Sequence, residues 1–208
     1  MKKIPAILIT LSLLVLGLVG CSNSPAAAGE KDESENVVSN QEPTDNKAYS
    51  AILIVYYSYS GTTQRVAERL QALTSGTLYE LTLTNPYTGD SYDVSERVFA
   101  QQDAEAMPEL AGELPNLSEY DTILIGTPVW NDSMANPIIG YLEQTDFDGK
   151  TASLFWTYIT NDGTTERDFS EQTQNAQIAD GLALRSANGI FDDEMDQMLR
   201  NWLNKVIG

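Results

Sequence analysis

Ile52-Leu53-Ile54-Val55-Tyr56-Tyr57-Ser58-Tyr59-Ser60-Gly61-Thr62-Thr63 is the stretch whose reading decides the fold. Its first six residues are apolar or aromatic with no polar alternation, as in a strand covered on both faces of a parallel sheet. Hydroxylated side chains and one glycine follow, and a helical pattern opens at once. A helix start gathers free backbone N–H groups and a partial positive charge, to which Ser58, Ser60, Thr62 and Thr63 add hydroxyl donors. Such a loop holds a phosphate without a cation. Ser and Gly after a strand also serve an ordinary tight strand-to-helix turn, so the segment alone leaves both readings open. No G-x-G-x-x-G surrounds Gly61 and no Gly-Lys-Ser/Thr follows it, which counts against a dinucleotide fold and an NTPase.

Further apolar or β-branched runs cover residues 77–83, 122–127, 151–157 and 177–184, with helical patterns between them. Alternation of this kind predicts an open α/β sheet. The first helix is predicted over 63–72, where Val66, Ala67, Leu70 and Leu73 form one stripe and Gln64, Arg65, Glu68 and Arg69 face water. A second is predicted from near Asp93 to Ala106, stopped by Met107-Pro108, and a third after Pro137. A fourth is predicted over 164–173 and a last over 192–206, with Met195, Met198, Leu199 and Trp202 on its core face.

Upstream of this domain, Lys2 and Lys3 precede an apolar stretch too short for a typical membrane span, as in a secretory signal. It ends in Leu18-Val19-Gly20-Cys21, which resembles a bacterial lipobox. Residues 1–20 therefore read as a lipoprotein signal peptide and Cys21 as the lipidated residue, tethering the protein outside the cytoplasmic membrane. Residues 22–50, rich in Ser, Asn, Ala, Glu and Asp, read as a disordered tether of about 30 Å r.m.s. span. The folded domain is assigned to residues 51–208.

Composition removes whole classes of chemistry. Histidine is absent and Cys21 is the single cysteine, so an imidazole base, a Ser-His-Asp triad and a His- or Cys-anchored metal site are excluded. The formal net charge is −18, and loss of Lys2 and Lys3 with the signal makes it −20. Nucleic acid is therefore an unexpected partner.

Taken together with its later segments, the chain resembles the flavodoxin family. In that family Ser/Thr-x-Ser/Thr-Gly-x-Thr after the first strand wraps the phosphate of flavin mononucleotide (FMN). The matching residues are Ser58, Ser60, Gly61, Thr62 and Thr63, with Tyr59 between the serines. Gly126-Thr127-Pro128-Val129-Trp130 matches a branch with Gly-x-Pro-x-Trp after the third strand, and the segments at 116–121 and 146–150 are also similar. The resemblance implies a three-layer sandwich around a five-stranded parallel sheet of order 2-1-3-4-5. It implies FMN as cofactor, held by Ser58 to Thr63, by Thr127, Pro128, Val129, Trp130, Asn131 and Asp132, and by Thr157 and Tyr158 after the fourth strand. The first and third strands flank the topological switch point, so their loops converge on one crevice.

This chain departs from the branch around the ring. Relatives usually carry Thr-His-Gly-Gly-like residues where it has Thr157-Tyr158-Ile159-Thr160, and often a tryptophan and a glycine where it has Asn131 and Asp132. Asp132 near a flavin would disfavour the anionic reduced form and make the cofactor a stronger reductant. The function implied is an FMN-dependent electron carrier. The alternatives are an NAD(P)H-dependent quinone or flavin reductase, and a non-redox module that captures a flavin or another phosphorylated ligand. No sequence for covalent flavin attachment is evident, so loose binding is expected.

Overall fold

The computed structural model describes residues 51–186 and 192–208; the signal peptide, Cys21 and the tether lie outside the described residues. Along the chain run β1 (Ile52–Tyr56), α1 (Thr62–Thr74), β2 (Thr77–Glu80), α2 (Ser91–Asp103), β3 (Thr122–Trp130), β4 (Ser133–Met134), α3 (Asn136–Glu143), β5 (Thr151–Tyr158), α4 (Thr165–Gln172), β6 (Gln177–Ile178), β7 (Leu182–Arg185) and α5 (Asp192–Val206). The sheet order is β2-β1-β3-β5-β6, with β7 also paired to β5 and β4 to β3. Among the strand pairs of the described residues, β3–β4 is antiparallel and the others are parallel. Helices cover both faces, as predicted for an α/β sandwich.

β1 explains why its sequence lacks alternation. Ile52, Ile54 and Tyr56 pack with Val66 and Leu70 of α1 and with Leu199 and Trp202 of α5. Leu53, Val55 and Tyr57 point the other way, into a core with Val98 of α2, Ile138 of α3 and Phe169 of α4. All five β1 residues are buried, and each aliphatic one contributes about 1.5–3 kcal/mol by leaving water.

Three predicted elements differ from those observed. The single fifth strand expected over 177–184 is two short strands, β6 and β7, both parallel to β5. Between them the Asp180 carbonyl accepts from Ser153 Oγ and Trp202 Nε1, each at 2.7 Å, so side chains of β5 and α5 hold the excursion. The third strand runs three residues beyond Thr127 and folds back as a hairpin with β4. α2 begins at Ser91 and ends at Asp103, earlier at both ends. Asp90 caps it by accepting from the N–H groups of Tyr92 and Asp93, and Asp93 accepts in return from Asp90 N–H, a reciprocal capping box. Past its C-terminus, Glu105 turns into the left-handed region at φ 49°, before Pro108 is reached.

Candidate functional site

At the C-terminal end of β1 the chain must turn into α1 within a few residues. Gly61 makes that turn at φ 84° and stands at the N-cap without a side-chain cap, a backbone state that glycine adopts at little steric cost. The N–H groups of the first turn of α1 are thus left for a ligand. Ser58 Oγ is buried there and has no hydrogen-bond partner among the described residues, an expensive state for a hydroxyl unless something outside the chain completes it. Ser60 Oγ and Thr62 Oγ1 lie 3.3 Å apart at the rim.

Beside this loop lies a cavity of about 380 Å3 at the ends of β1, β3 and β5. Ser60, Thr62, Pro128, Val129, Trp130, Asn131, Asp132, Thr157 and Tyr158 all line it, joined by Ile159, Thr160, Asn161 and Ser186. Gly61 borders an adjoining recess of about 290 Å3 with Arg65 and Ser186. Thr63 and Thr127 stand behind the walls. Thr63 Oγ1 and Thr157 Oγ1 share a buried 2.8 Å hydrogen bond that ties α1 to β5. Thr127 is fully buried; its hydroxyl accepts from Ala135 N–H at 3.0 Å and donates to the Pro128 carbonyl at 2.9 Å. It shapes the hairpin and is not part of the cavity wall. Tyr59 is 44% exposed and leans on Trp130.

Trp130 is held by three tyrosines. Tyr57, Tyr59 and Tyr87 meet it nearly edge-on, with ring centroids at 5.5, 6.1 and 5.1 Å and interplanar angles of 83°, 76° and 89°. Pairs of this geometry add about 0.5–1.5 kcal/mol each beyond area burial. Arg97 lies 4.4 Å over the Tyr87 ring. Burial, with the neighbouring Tyr87 and Tyr59 phenols, pushes Tyr57 far above the usual phenol range. Burial likewise raises Tyr87 despite the opposing Arg97 charge. Both phenols stay neutral at physiological pH, so the aromatic wall carries no charge of its own.

A family model described as Flavodoxin matches residues 51–206. The chain belongs to the flavodoxin family. Solved structures agree on the fold. One of a candidate flavoprotein from Bacteroides eggerthii is 27% identical, with a TM-score of 0.64 over 76% of this chain and 98% of that one. Another, from Bacteroides uniformis, is 27% identical, with a TM-score of 0.61 over 76% and 99%. A Lactobacillus acidophilus flavoprotein solved in complex with FMN is 24% identical, with a TM-score of 0.62 over 74% and 98%.

In this flavodoxin-family chain the residues that depart from the branch pattern have a structural account. Asn131 and Asp132 are the two loop residues between paired Trp130 and Ser133, with φ of 48° and 61°. A two-residue hairpin loop of the I′ type requires positive φ at both positions, which Asn and Asp tolerate better than most side chains. The turn is clamped to the loop after β5. The Asp132 carbonyl accepts from Thr164 N–H at 2.7 Å, and the Asp132 carboxylate accepts from Asn161 Nδ2 at 2.7 Å. Gly163, at φ 60°, passes so close that a Cβ there would lie 1.9 Å from the Asp132 carbonyl oxygen. Asn161 and Thr164 therefore fasten the loop after β5 to the Asn131-Asp132 turn.

Sequence reasoning missed Asp168, which supports this clamp from α4. It accepts from Ser133 Oγ at 2.7 Å, Thr164 Oγ1 at 2.6 Å and Arg167 Nη2 at 2.9 Å. Burial acts to raise its carboxyl, but hydrogen bonds from Thr164, Ser133 and Arg167 outweigh it and hold the group below its ordinary value. An acid in the first turn of a helix was the visible signal, and it pointed only to the helix dipole. Ser186 was also missed. It follows the broken edge strand, donates to the Tyr158 carbonyl at 3.0 Å and lines the cavity; nothing local in the sequence marks it.

Proposed function

We propose that this protein is an FMN-binding redox protein that takes up and hands on electrons while tethered outside the cytoplasmic membrane through lipidated Cys21. The observation that carries the cofactor reading is the buried, unpartnered Ser58 hydroxyl beside the uncapped start of α1. The FMN complex of the Lactobacillus acidophilus relative supports the same group. Ser58, Ser60, Thr62 and the first N–H groups of α1 would hold the phosphate. Trp130, Tyr158, Pro128 and Val129 would enclose the ring and exclude water, and the clamp between Asp132 and residues 161–164 would keep their loops in place. Bound FMN supplies one- and two-electron chemistry.

A carrier role fits the side chains available. The chain has no histidine, and the phenols behind the wall are held protonated. It therefore lacks an imidazole to move protons for a substrate at neutral pH. The tether rests on the lipobox-like Leu18 to Cys21 segment; among the described residues no helix is long and apolar enough to cross a membrane.

Titration of FMN into purified apoprotein tests the proposal. Quenching of flavin fluorescence at near-stoichiometric FMN, with riboflavin much weaker, is the expected result. Equal affinity for riboflavin would remove the phosphate loop from the mechanism, and no quenching would remove the cofactor. Rapid turnover of reduced nicotinamide with a quinone would make the protein a reductase. For the tether, metabolic labelling with a fatty acid should depend on Cys21, and unlabelled wild-type protein would refute it.

A further inference from the structure

Asn136 opens α3 and is wholly buried. An Asn near a helix start often caps it by accepting from backbone N–H groups, yet α3 has no side-chain cap among the described residues. The Asn136 amide turns into α2 instead. Its Nδ2 donates to the Val98 carbonyl at 3.2 Å and to Gln101 Oε1 at 3.1 Å, and its Oδ1 accepts from Gln102 Nε2 at 3.0 Å. Both hydrogens and the carbonyl are thereby used, the condition under which a side-chain amide can be buried at little cost.

Two routes lead from this amide to the cavity wall. Gln101 Oε1 also accepts from the Tyr87 hydroxyl at 2.5 Å, and the Tyr87 ring stands edge-on to Trp130. Arg97, over the same ring, donates to the Asn85 and Pro86 carbonyls and so fixes the loop that carries Tyr87. By the second route, Gln102 Oε1 accepts from Asn131 Nδ2 at 3.1 Å. Asn131 belongs to the turn that Asn161 and Thr164 hold through Asp132. Trp130 and Asn131 both line the cavity, and Asn136 is the point where the two routes meet.

We propose that Asn136 is a positioning residue for the flavin-ring half of the site: through Gln101 and Gln102 it fixes Trp130 and the Asn131-Asp132 turn, so that the wall is in place before a ligand enters. That purpose rests on the FMN reading, whereas the fixed wall exists in the ligand-free chain. A tryptophan already held in one orientation has little freedom left to lose on binding, and the ring meets a preformed surface. The affinity gained this way is for the isoalloxazine. Ser58, Ser60 and Thr62 share no hydrogen bond with the network among the described residues, so the phosphate half is set independently.

Two variants of the full chain test this. Asn136→Leu keeps the branching of the side chain and removes its hydrogen bonds; Gln101→Met, at a half-buried position where folding is not at stake, breaks the route to Tyr87 alone. In the FMN-free protein the indole N–H resonance of Trp130 should move and broaden in both, while those of Trp156 and Trp202 stay in place. FMN and riboflavin should both bind about tenfold more weakly to Asn136→Leu and several-fold more weakly to Gln101→Met, with the ratio of their Kd values unchanged. Phe147→Leu is the control for a general loss of stability. Phe147 is buried against Tyr141 ahead of β5, at the end of that strand away from the cavity, so the Trp130 resonance should stay and both affinities should hold within about twofold. A Trp130 resonance unmoved in both variants, unchanged flavin affinity, or a loss confined to FMN would overturn the proposal. If the wild-type chain binds neither flavin, the cofactor reading fails, and the hold of Asn136 on Trp130 is decided by the indole resonance.

Discussion

Replacing Ser58 by alanine should move stability and affinity in opposite directions. In the ligand-free protein the Ser58 hydroxyl is buried without a partner among the described residues, a state that costs about 1–3 kcal/mol. Removing it should stabilise the apoprotein by about 1 kcal/mol, the low end being appropriate because the residue as a whole is only half-buried. For a domain of this size that raises Tm by about 2–4 °C. With FMN present the sign reverses. A hydrogen bond to a charged phosphate contributes about 1.5–3 kcal/mol, so Kd should rise about 10- to 150-fold. Riboflavin, which has no phosphate, should bind the variant and the wild type alike. Calorimetric melting of the apoprotein and fluorimetric titration with both flavins give the three numbers. A lower apoprotein Tm with unchanged FMN affinity would show that Ser58 serves an internal contact and would refute the reasoning.

Gly163→Ala should lower the urea midpoint by an amount equivalent to about 2–4 kcal/mol, since the added methyl meets the Asp132 carbonyl in a left-handed conformation; an unchanged midpoint would mean that the clamp yields freely. Thr63→Val and Thr157→Val should each cost about 1–3 kcal/mol by stranding the other hydroxyl, and the double variant less than their sum. Strict additivity in urea unfolding would count against a shared bond. Asp168 has a folded pKa below its ordinary 3.8, so its contribution is complete above about pH 4 and is lost as pH falls through the lower folded value. Wild-type melting should therefore fall more steeply below about pH 4 than that of Asp168→Asn, and parallel curves would contradict this. Asp132→Asn should raise the potential of bound FMN by on the order of tens of mV, equivalent to ~1 kcal/mol of charge interaction; a redox titration with no change would defeat that role.

Legibility followed the range of the interactions involved. β1, α1 and the turn between them were readable because each is specified by neighbours in sequence: an apolar run, a 3.6-residue stripe, and one glycine among hydroxylated residues. The order of the remaining strands was readable only through the family resemblance. Loop contacts were not. Asn131 and Asp132 read as departures from the branch pattern, and they form a hairpin turn that Asn161 and Thr164, through Asp132, and Asp168, through Ser133, hold from 29 to 35 residues away. Thr127 read as a cofactor contact, and nothing in its sequence showed that its hydroxyl donates to the Pro128 carbonyl and accepts from Ala135 N–H.

By itself the sequence determined the α/β class, the continuous burial of β1, the uncapped helix start after Gly61 and the exclusion of imidazole chemistry, since all of these depend on local pattern or on counts. Only the tertiary structure decided which hydroxyls remain free for a ligand. Ser58 and Thr63 are chemically similar and five residues apart, but Thr63 meets Thr157 from β5 and the Ser58 hydroxyl has no hydrogen-bond partner among the described residues. A hydroxyl's partner is chosen by what the fold brings within 3 Å, and residue type and spacing carry no record of that distance.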